Sequence, residues 1–296
     1  MPGTDTGASS RAFTFLLVHA HPDDECSGTG GLLARSAMEG HTSVLITCTN
    51  GDRGEVKGLP SLHPQENAED RRRLAEVRQR ELEEAARILG ITHLYQLGYS
   101  DSGMDGWESN GRSGAFANAD LTEAAEKIAC FIRQYRPEVL ITYNEQGGYG
   151  HPDHLMAHRA AMAAVEIAED ETRLQESDLP PWRVRKIYYT AWARSKLLQT
   201  WRWMRWFGRK TPLDDPDFDE SKYGTPDEMI TTKIGVNPVR RKKMRALFTH
   251  KSQMGGNFFW WFFRLAGRWV YNEESFVCVR SDMPVNKVER SIFEGL

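Results

Sequence analysis

Through the first 170 residues, short apolar runs of strand length alternate with stretches of helical spacing, and this alternation constrains the fold more than any other feature. Residues 13–18 (FTFLLV), 43–49 (SVLITCT), 93–97 and 139–143 read as strands. Helical spacing predicts helices around 32–38, over 66–89 with Gly90 as a left-handed terminator, over about 120–135, and from Pro152, a residue suited to a first helical turn. Strands alternating with helices form βαβ units, and these assemble into a parallel sheet covered on both faces. The expected class is therefore α/β, a Rossmann-like three-layer fold with a mostly parallel sheet. In such a fold, ligands gather beyond the carboxyl ends of the strands.

The pattern loosens after about residue 171. Strands are expected at 186–190, 229–236 and 275–280, a helix at 239–248, and an exposed, turn-rich acidic excursion at 212–226. We expect one domain, 12–296. Residues 12–170 would form its metal-binding core and 171–296 an elaborated, substrate-shaping part, preceded by a disordered start at 1–11. That start has no apolar stretch of the signal-peptide kind. A formal net charge of −3 argues against a general nucleic-acid binder. The four cysteines form no CxxC pair, which fits a reducing, cytoplasmic setting.

Two polar clusters follow predicted strands directly. The first is His19-Ala20-His21-Pro22-Asp23-Asp24-Glu25 and the second is Tyr149-Gly150-His151-Pro152-Asp153-His154. A catalytic zinc site needs a few nitrogen and oxygen donors and an open position for water. His21 and Asp24, three apart at a strand-to-helix turn, can converge on one point, and His154 at a helix start supplies a third donor. Asp23 then faces elsewhere, near the metal without ligating it, which suits a general base. Either cluster alone reads equally well as a helix cap, since Asp caps well and Pro favours the first turn. Two His-Pro-Asp runs, each after a strand, favour a metal site.

The run HAHPDDE, the loop GGYGHPDH, TCTNGDRGEV at 47–56, REL at 80–82, DSGM at 101–104 and the ending SIFEGL closely resemble the LmbE-like (PIG-L) zinc-dependent N-deacetylases. Within that family the likeness is to the mycothiol-pathway enzymes that deacetylate N-acetylglucosaminyl-inositol or cleave mycothiol S-conjugates. The resemblance implies the LmbE-like fold and one zinc per chain on His21, Asp24 and His154, with iron or cobalt compatible with the same ligand types. It also implies Asp23 as base, His151 as the group that stabilises the tetrahedral intermediate or protonates the leaving amine, Asp153 as its orienter, and Tyr149 as a carbonyl-polarising phenol. Arg78, Asp101 and Glu55 would contact the substrate.

The implied reaction is metal-dependent hydrolysis of an N-acyl, above all N-acetyl, amino sugar or its conjugate. A secondary-metabolite or lipid-like glycoside is the alternative substrate, and a metallophosphoesterase or a non-catalytic binding module are the rival classes. The partner is a small molecule, not nucleic acid. Membrane contact is not favoured, and a homo-oligomer is left open.

Among the remaining features, His19 and His158 are expected behind the ligands, while His41, His63, His93 and His250 are expected to be surface or packing residues. Gly28-Thr29-Gly30-Gly31 should allow close packing beside the metal loop, and Arg71-Arg72-Arg73 should be a solvated face. The aromatic stretches at 201–207 and 258–269 are expected to form core and a subunit interface, with an aglycone wall or a membrane-docking face as alternatives.

Overall fold

Strand β1 (Thr14–His19) is buried along almost its whole length because both of its faces are covered. Leu16 and Val18 point into one core and Phe15 and Leu17 into the other, which explains why the run is continuously apolar rather than alternating. The computed structural model describes residues 11–254, 272–285 and 287–296. Residues 1–10 and the FFWWFF segment at 258–263 lie outside the described residues.

Five parallel strands stand in the order β3 (His93–Tyr99), β2 (Thr42–Thr49), β1, β4 (Val139–Thr142) and β5 (Lys186–Ala191). Strand β7 (Glu273–Ser281) adds antiparallel to β5, and β6 (Thr232–Gly235) antiparallel to β7, giving a seven-stranded, mostly parallel sheet. The chain reverses its winding between β1 and β4, so the crevice of this α/β sheet opens where the two histidine loops leave those strands.

Helices cover both faces. On one side α4 (Leu121–Tyr135) and α6 (Pro152–Glu169) pack together around Ile128, with the small side chains of Ala125, Ala157, Ala160 and Ala164 letting the two backbones approach. On the other side lie α2 (Gly30–Met38), α3 (Ala68–Leu89) and α8 (Arg240–Leu247). Helix α1 (Asp24–Ser27) and α5 (Gly147–Gly150) are single turns inside the two histidine loops. Helix α3 is capped by the Asn67 side chain and ends at Gly90 with φ 83°, as the sequence predicts.

A seventh helix, α7 (Arg194–Trp206), was not anticipated. Its aromatic residues do not enter the core: Trp201 and Trp203 are half-buried, while Trp206 and Phe207 are exposed. The reason is where the helix lies. It rests on the acidic excursion, with Trp201 edge-on to Phe218 and Tyr223, rather than on the sheet. The excursion itself contains two short 3-10 turns, and a third follows it at Asp227–Met229. No helix among the described residues is long and apolar enough to cross a membrane.

Candidate metal centre and active site

Local chain grammar delivers the second histidine cluster. His151 is the N-cap of α6, its ring Nδ1 accepts the Asp153 N–H at 3.1 Å, and Pro152 fills the first turn. His154 is then held on the first turn of the helix, 3% exposed. Its Nδ1 lies 3.1 Å from the Gly147 carbonyl oxygen, which can only accept, so Nδ1 carries the proton and the Nε2 lone pair is free. That Nε2 is buried and has no hydrogen-bond partner. Gly147 must be glycine for this contact: its φ is 61°, and a Cβ there would stand 2.9 Å from His154 Cβ.

The first cluster presents the complementary arrangement. His21 Nε2 meets the Asp153 carboxylate at 3.1 Å and so carries the proton, which leaves Nδ1 as its free donor. His21 Nδ1 and His154 Nε2 each stand 3.5 Å from Asp24 Oδ2. Bonds of about 2.0–2.2 Å at tetrahedral angles place neighbouring donor atoms roughly 3.3–3.6 Å apart. The free nitrogens and Asp24 Oδ2 therefore match the spacing that a small divalent cation requires.

The electrostatics agree. Burial opposes charge on His21, yet the carboxylates of Asp101, Asp153 and Asp24 hold its pKa well above the usual imidazole value. Burial likewise opposes ionisation of Asp24, but His154 and His21 hold its carboxyl well below the usual range. His154 is pushed down to about 3, principally by burial, and so stays neutral. This is a pocket arranged around positive charge, with carboxylates that favour a cation and a neutral nitrogen donor on His154, and a metal fits it.

Asp23 stands apart from the three donors. Its side chain is 31% exposed, whereas Arg78 beside it is buried and donates from Nη2 to Asp23 Oδ2 at 3.1 Å. Burial lifts the Asp23 pKa to about 6, with the Arg78 guanidinium pulling the other way. Asp23 is the N-cap residue of α1, but its carboxylate makes no capping hydrogen bond, so the helix-cap reading of HPDD does not hold for it.

A family model described as PIG-L, GlcNAc-PI de-N-acetylase, matches residues 16–165, a span that includes both histidine clusters. The chain belongs to this family. A Catenulispora acidiphila protein named 1D-myo-inositol 2-acetamido-2-deoxy-alpha-D-glucopyranoside deacetylase 1 is 41% identical over 251 residues, 82% of this chain and 77% of that protein. A Streptomyces avermitilis deacetylase named for the same glycoside is 37% identical over 295 residues, 95% of this chain and 96% of its own length. Among solved structures, the N,N'-diacetylchitobiose deacetylase from Pyrococcus horikoshii superposes with a TM-score of 0.61 at 19% identity, covering 93% of this chain and 85% of that one, and so shares the fold. This PIG-L protein is thus an enzyme, a hydrolase that removes acyl groups by cleaving amide bonds.

The structure of this family member gathers most of the residues singled out in the sequence, some with unexpected partners. His151 lies within reach of the ligand cluster: its ring centroid is 4.5 Å from that of His21 and 5.1 Å from that of His154. Burial, then the nearby His21 charge, lowers its pKa. The Asp153 carboxylate is turned to His21 and to the Ser102 N–H (2.8 Å) and hydroxyl, not to His151. Asp101 is 3% exposed, with Oδ1 3.6 Å from His21 Nε2 and Oδ2 3.9 Å from Arg78 Nη1.

Arg78 also donates to the Pro22 and Gly51 carbonyls, so its guanidinium is committed to the metal loop and to Asp23. Tyr149 is 67% exposed on a glycine-rich loop, its ring edge-on to His154 at 5.0 Å. Glu55 is separate: it is exposed, pairs with Lys57, and lines a cavity of about 480 Å³ with Trp107 and His63. His19 bonds Thr29 through Nε2 at 3.0 Å, and His158 Nδ1 donates to the Tyr143 carbonyl at 2.9 Å; both sit behind the donors.

Three residues of the site were not legible in sequence. Tyr143 donates its hydroxyl to Asp24 Oδ2 at 2.7 Å, accepts the Ala20 N–H at 2.8 Å, and stacks on His154 at 4.1 Å. Its position at the end of a core strand was a usable signal. Ser102 braces Asp153. His250, expected as a surface or packing histidine, is fully buried with Nε2 2.7 Å from Glu25 Oε1.

Proposed function

We propose that this enzyme is a zinc-dependent de-N-acetylase of an inositol-linked N-acetylglucosamine, releasing acetate and the free amine. The observation that carries the reaction is the unpartnered His154 Nε2 facing Asp24 Oδ2, next to a carboxylate, Asp23, that is partly exposed and holds an elevated pKa. The substrate class is supported by relatives of 37–41% identity that are named for that glycoside.

His21, Asp24 and His154 would hold the ion, which when bound supplies a Lewis acid able to make water nucleophilic near neutral pH. Asp23 accepts the proton of the attacking water, because a base with a pKa of about 6 is ionised at neutral pH yet still basic enough to take it. Arg78 fixes the Asp23 carboxylate from behind. Tyr149 offers its O–H to the acyl oxygen as negative charge develops there, His151 stabilises the tetrahedral intermediate beside it, and Asp23 passes the proton it took from water to the departing nitrogen as the C–N bond breaks. Asp153 serves this reaction through His21, whose tautomer it sets. Asp101, on the buried floor beside Arg78, and Glu55, at the edge of the neighbouring cavity, are the groups from which sugar and aglycone contacts would come.

The test is incubation of zinc-, iron- and cobalt-loaded protein with N-acetylglucosaminyl-inositol, a mycothiol S-conjugate and simple N-acetylglucosaminides, scoring released amine. Turnover should be greatest on the inositol glycoside with zinc. Faster release from the S-conjugate would overturn the substrate assignment, and faster release with iron would overturn the metal. In the same assay Asp23→Asn should retain the metal and lose about 10²–10⁴-fold in kcat. Near wild-type turnover would remove Asp23 from the role of base.

A further inference from the structure

Asp23 has a backbone conformation that few non-glycine residues adopt, φ 117° and ψ −24°. The other described non-glycine residues with positive φ, Arg136, Leu174 and Asp178, lie at 49–53°, within the ordinary left-handed region. A backbone of this kind is strained and persists only where its surroundings impose it.

Two grips impose it here. From one side Arg78 holds the Asp23 carboxylate and the Pro22 carbonyl. From the other, the Asp23 N–H donates to Glu25 Oε2 at 2.9 Å. Glu25 is 0% exposed, and its second oxygen receives His250 Nε2 at 2.7 Å and the Cys26 thiol at 3.0 Å. His250 is itself 0% exposed and arrives from 225 residues further along the chain, just beyond α8.

We propose that the buried Glu25–His250 pair is a positioning device for catalysis, locking the backbone of residue 23 so that its carboxylate faces the attacking water. The inference rests on the assignment of Asp23 as base. The His250 ring nitrogen bonds Glu25 rather than His21, Asp24 or His154, so its influence runs through Glu25 to the base rather than to the ion.

Glu25, Cys26 and His250 also stand close enough together to suggest a second cation site. The hydrogen bonds argue otherwise. Both Glu25 oxygens already accept, the Asp23 N–H is aimed at one of them, and the Cys26 thiol keeps its proton to donate to the other. Donors thus occupy the positions that a cation would need.

The experiment compares His250→Leu, which removes the donor, with His250→Gln, which keeps one, and runs Asp23→Asn alongside. Metal content, circular dichroism, KM and kcat are measured on each metal-loaded protein. We expect His250→Leu to keep its metal and a KM within about twofold of wild type. Its kcat should fall about 10–100-fold, the scale of a small misplacement of a catalytic group. His250→Gln should recover most of that loss.

Wild-type kcat in folded His250→Leu would overturn the inference. So would a loss of kcat that tracks loss of metal, or one that His250→Gln fails to recover. If His250→Leu does not fold, Glu25→Gln replaces it, because the amide preserves shape and one acceptor while weakening the grip. Its kcat should fall with KM unchanged, and a wild-type kcat would again overturn the inference. Full turnover by Asp23→Asn refutes the base assignment itself. An inactive Asp23→Asn beside a fully active His250→Leu refutes only the positioning role.

Discussion

The parallel half of the sheet and the C-terminal third contribute to the site in different ways. The first carries the proposed chemistry: His21 and Asp24 follow β1 directly, and His151 and His154 stand at the start of α6, beyond the loop that follows β4. The second supplies rigidity. Lys243 of α8 and Glu274 of β7 form a fully buried ion pair at 2.6 Å, and Glu274 accepts the Gly31 and Leu32 N–H groups at 2.6 and 2.7 Å. Lys243 also donates to the Ser27 carbonyl at 2.9 Å, so the turn after the metal loop is tied from the far side of the sheet. Gly31 allows the approach, since a Cβ there would lie 2.5 Å from Val236 Cγ2. A third buried pair, Lys186–Glu289, joins β5 to the chain's last turns. Reactive groups can therefore be local in sequence while the forces that immobilise them are long-range.

That contrast can be broken or sharpened in four ways. The largest effect belongs to the chemical half: His154→Ala should lose both bound metal and activity, read by metal analysis and amine release. Retention of a full metal equivalent would break the ligand set. Next, Lys243→Met leaves a buried carboxylate without its partner and should destabilise the fold by about 3–5 kcal/mol, measured by urea unfolding. Its folded fraction should keep its metal, and loss of the ion at full stability would mean that the C-terminal third also takes part in chemistry.

A smaller, pH-dependent effect is expected at His250. Burial opposes its charge, but Glu25 and Asp23 raise its pKa against the pull of Arg78. A group whose folded pKa is raised contributes stability that is fully present below its unfolded value, near 6.5, and is lost as pH rises through the folded value. The melting-temperature advantage of wild type over His250→Gln should therefore shrink on going from pH 6 to pH 9. An advantage that grows would reverse the sign of the coupling. Smallest of all, Trp206→Ser should change stability by no more than about 0.5 kcal/mol and leave kcat/KM unchanged, because the ring is 81% exposed. A raised KM would instead assign α7 to the aglycone.

Much of the parallel half was legible because its signals are local. Apolar runs set β1, β2, β3 and β4 to within a few residues, and Gly90 and Pro152 mark helix ends by their own backbone preferences. Within the Gly28–Gly31 run, the close packing read from the sequence holds at Gly30 and Gly31, whereas a Cβ on Gly28 would meet nothing nearer than 3.8 Å. The same methods failed where partners are distant. The helix α7 escaped because arginines interrupt its aromatic stripe, and its tryptophans were expected inside because size favours burial, whereas Trp201 packs on Phe218 and Tyr223 of the acidic excursion. Asp153 was expected to serve its neighbour His151. Folding brings its carboxylate instead to His21, 132 residues earlier, and to Ser102.

The sequence by itself singled out the candidate groups: two His-Pro-Asp runs after two strands, with Asp23 set apart from Asp24, because a tight turn points successive side chains in different directions. Only the tertiary structure decided how those groups are held. The lone pair of His154 is exposed by a carbonyl seven residues away, Asp24 is gripped by Tyr143 from a neighbouring strand, and the strained backbone of Asp23 is locked by a histidine 225 residues further along the chain from Glu25. Hydrogen bonds act over about 3 Å, so they belong to whatever residues folding brings together and leave no trace in sequence spacing.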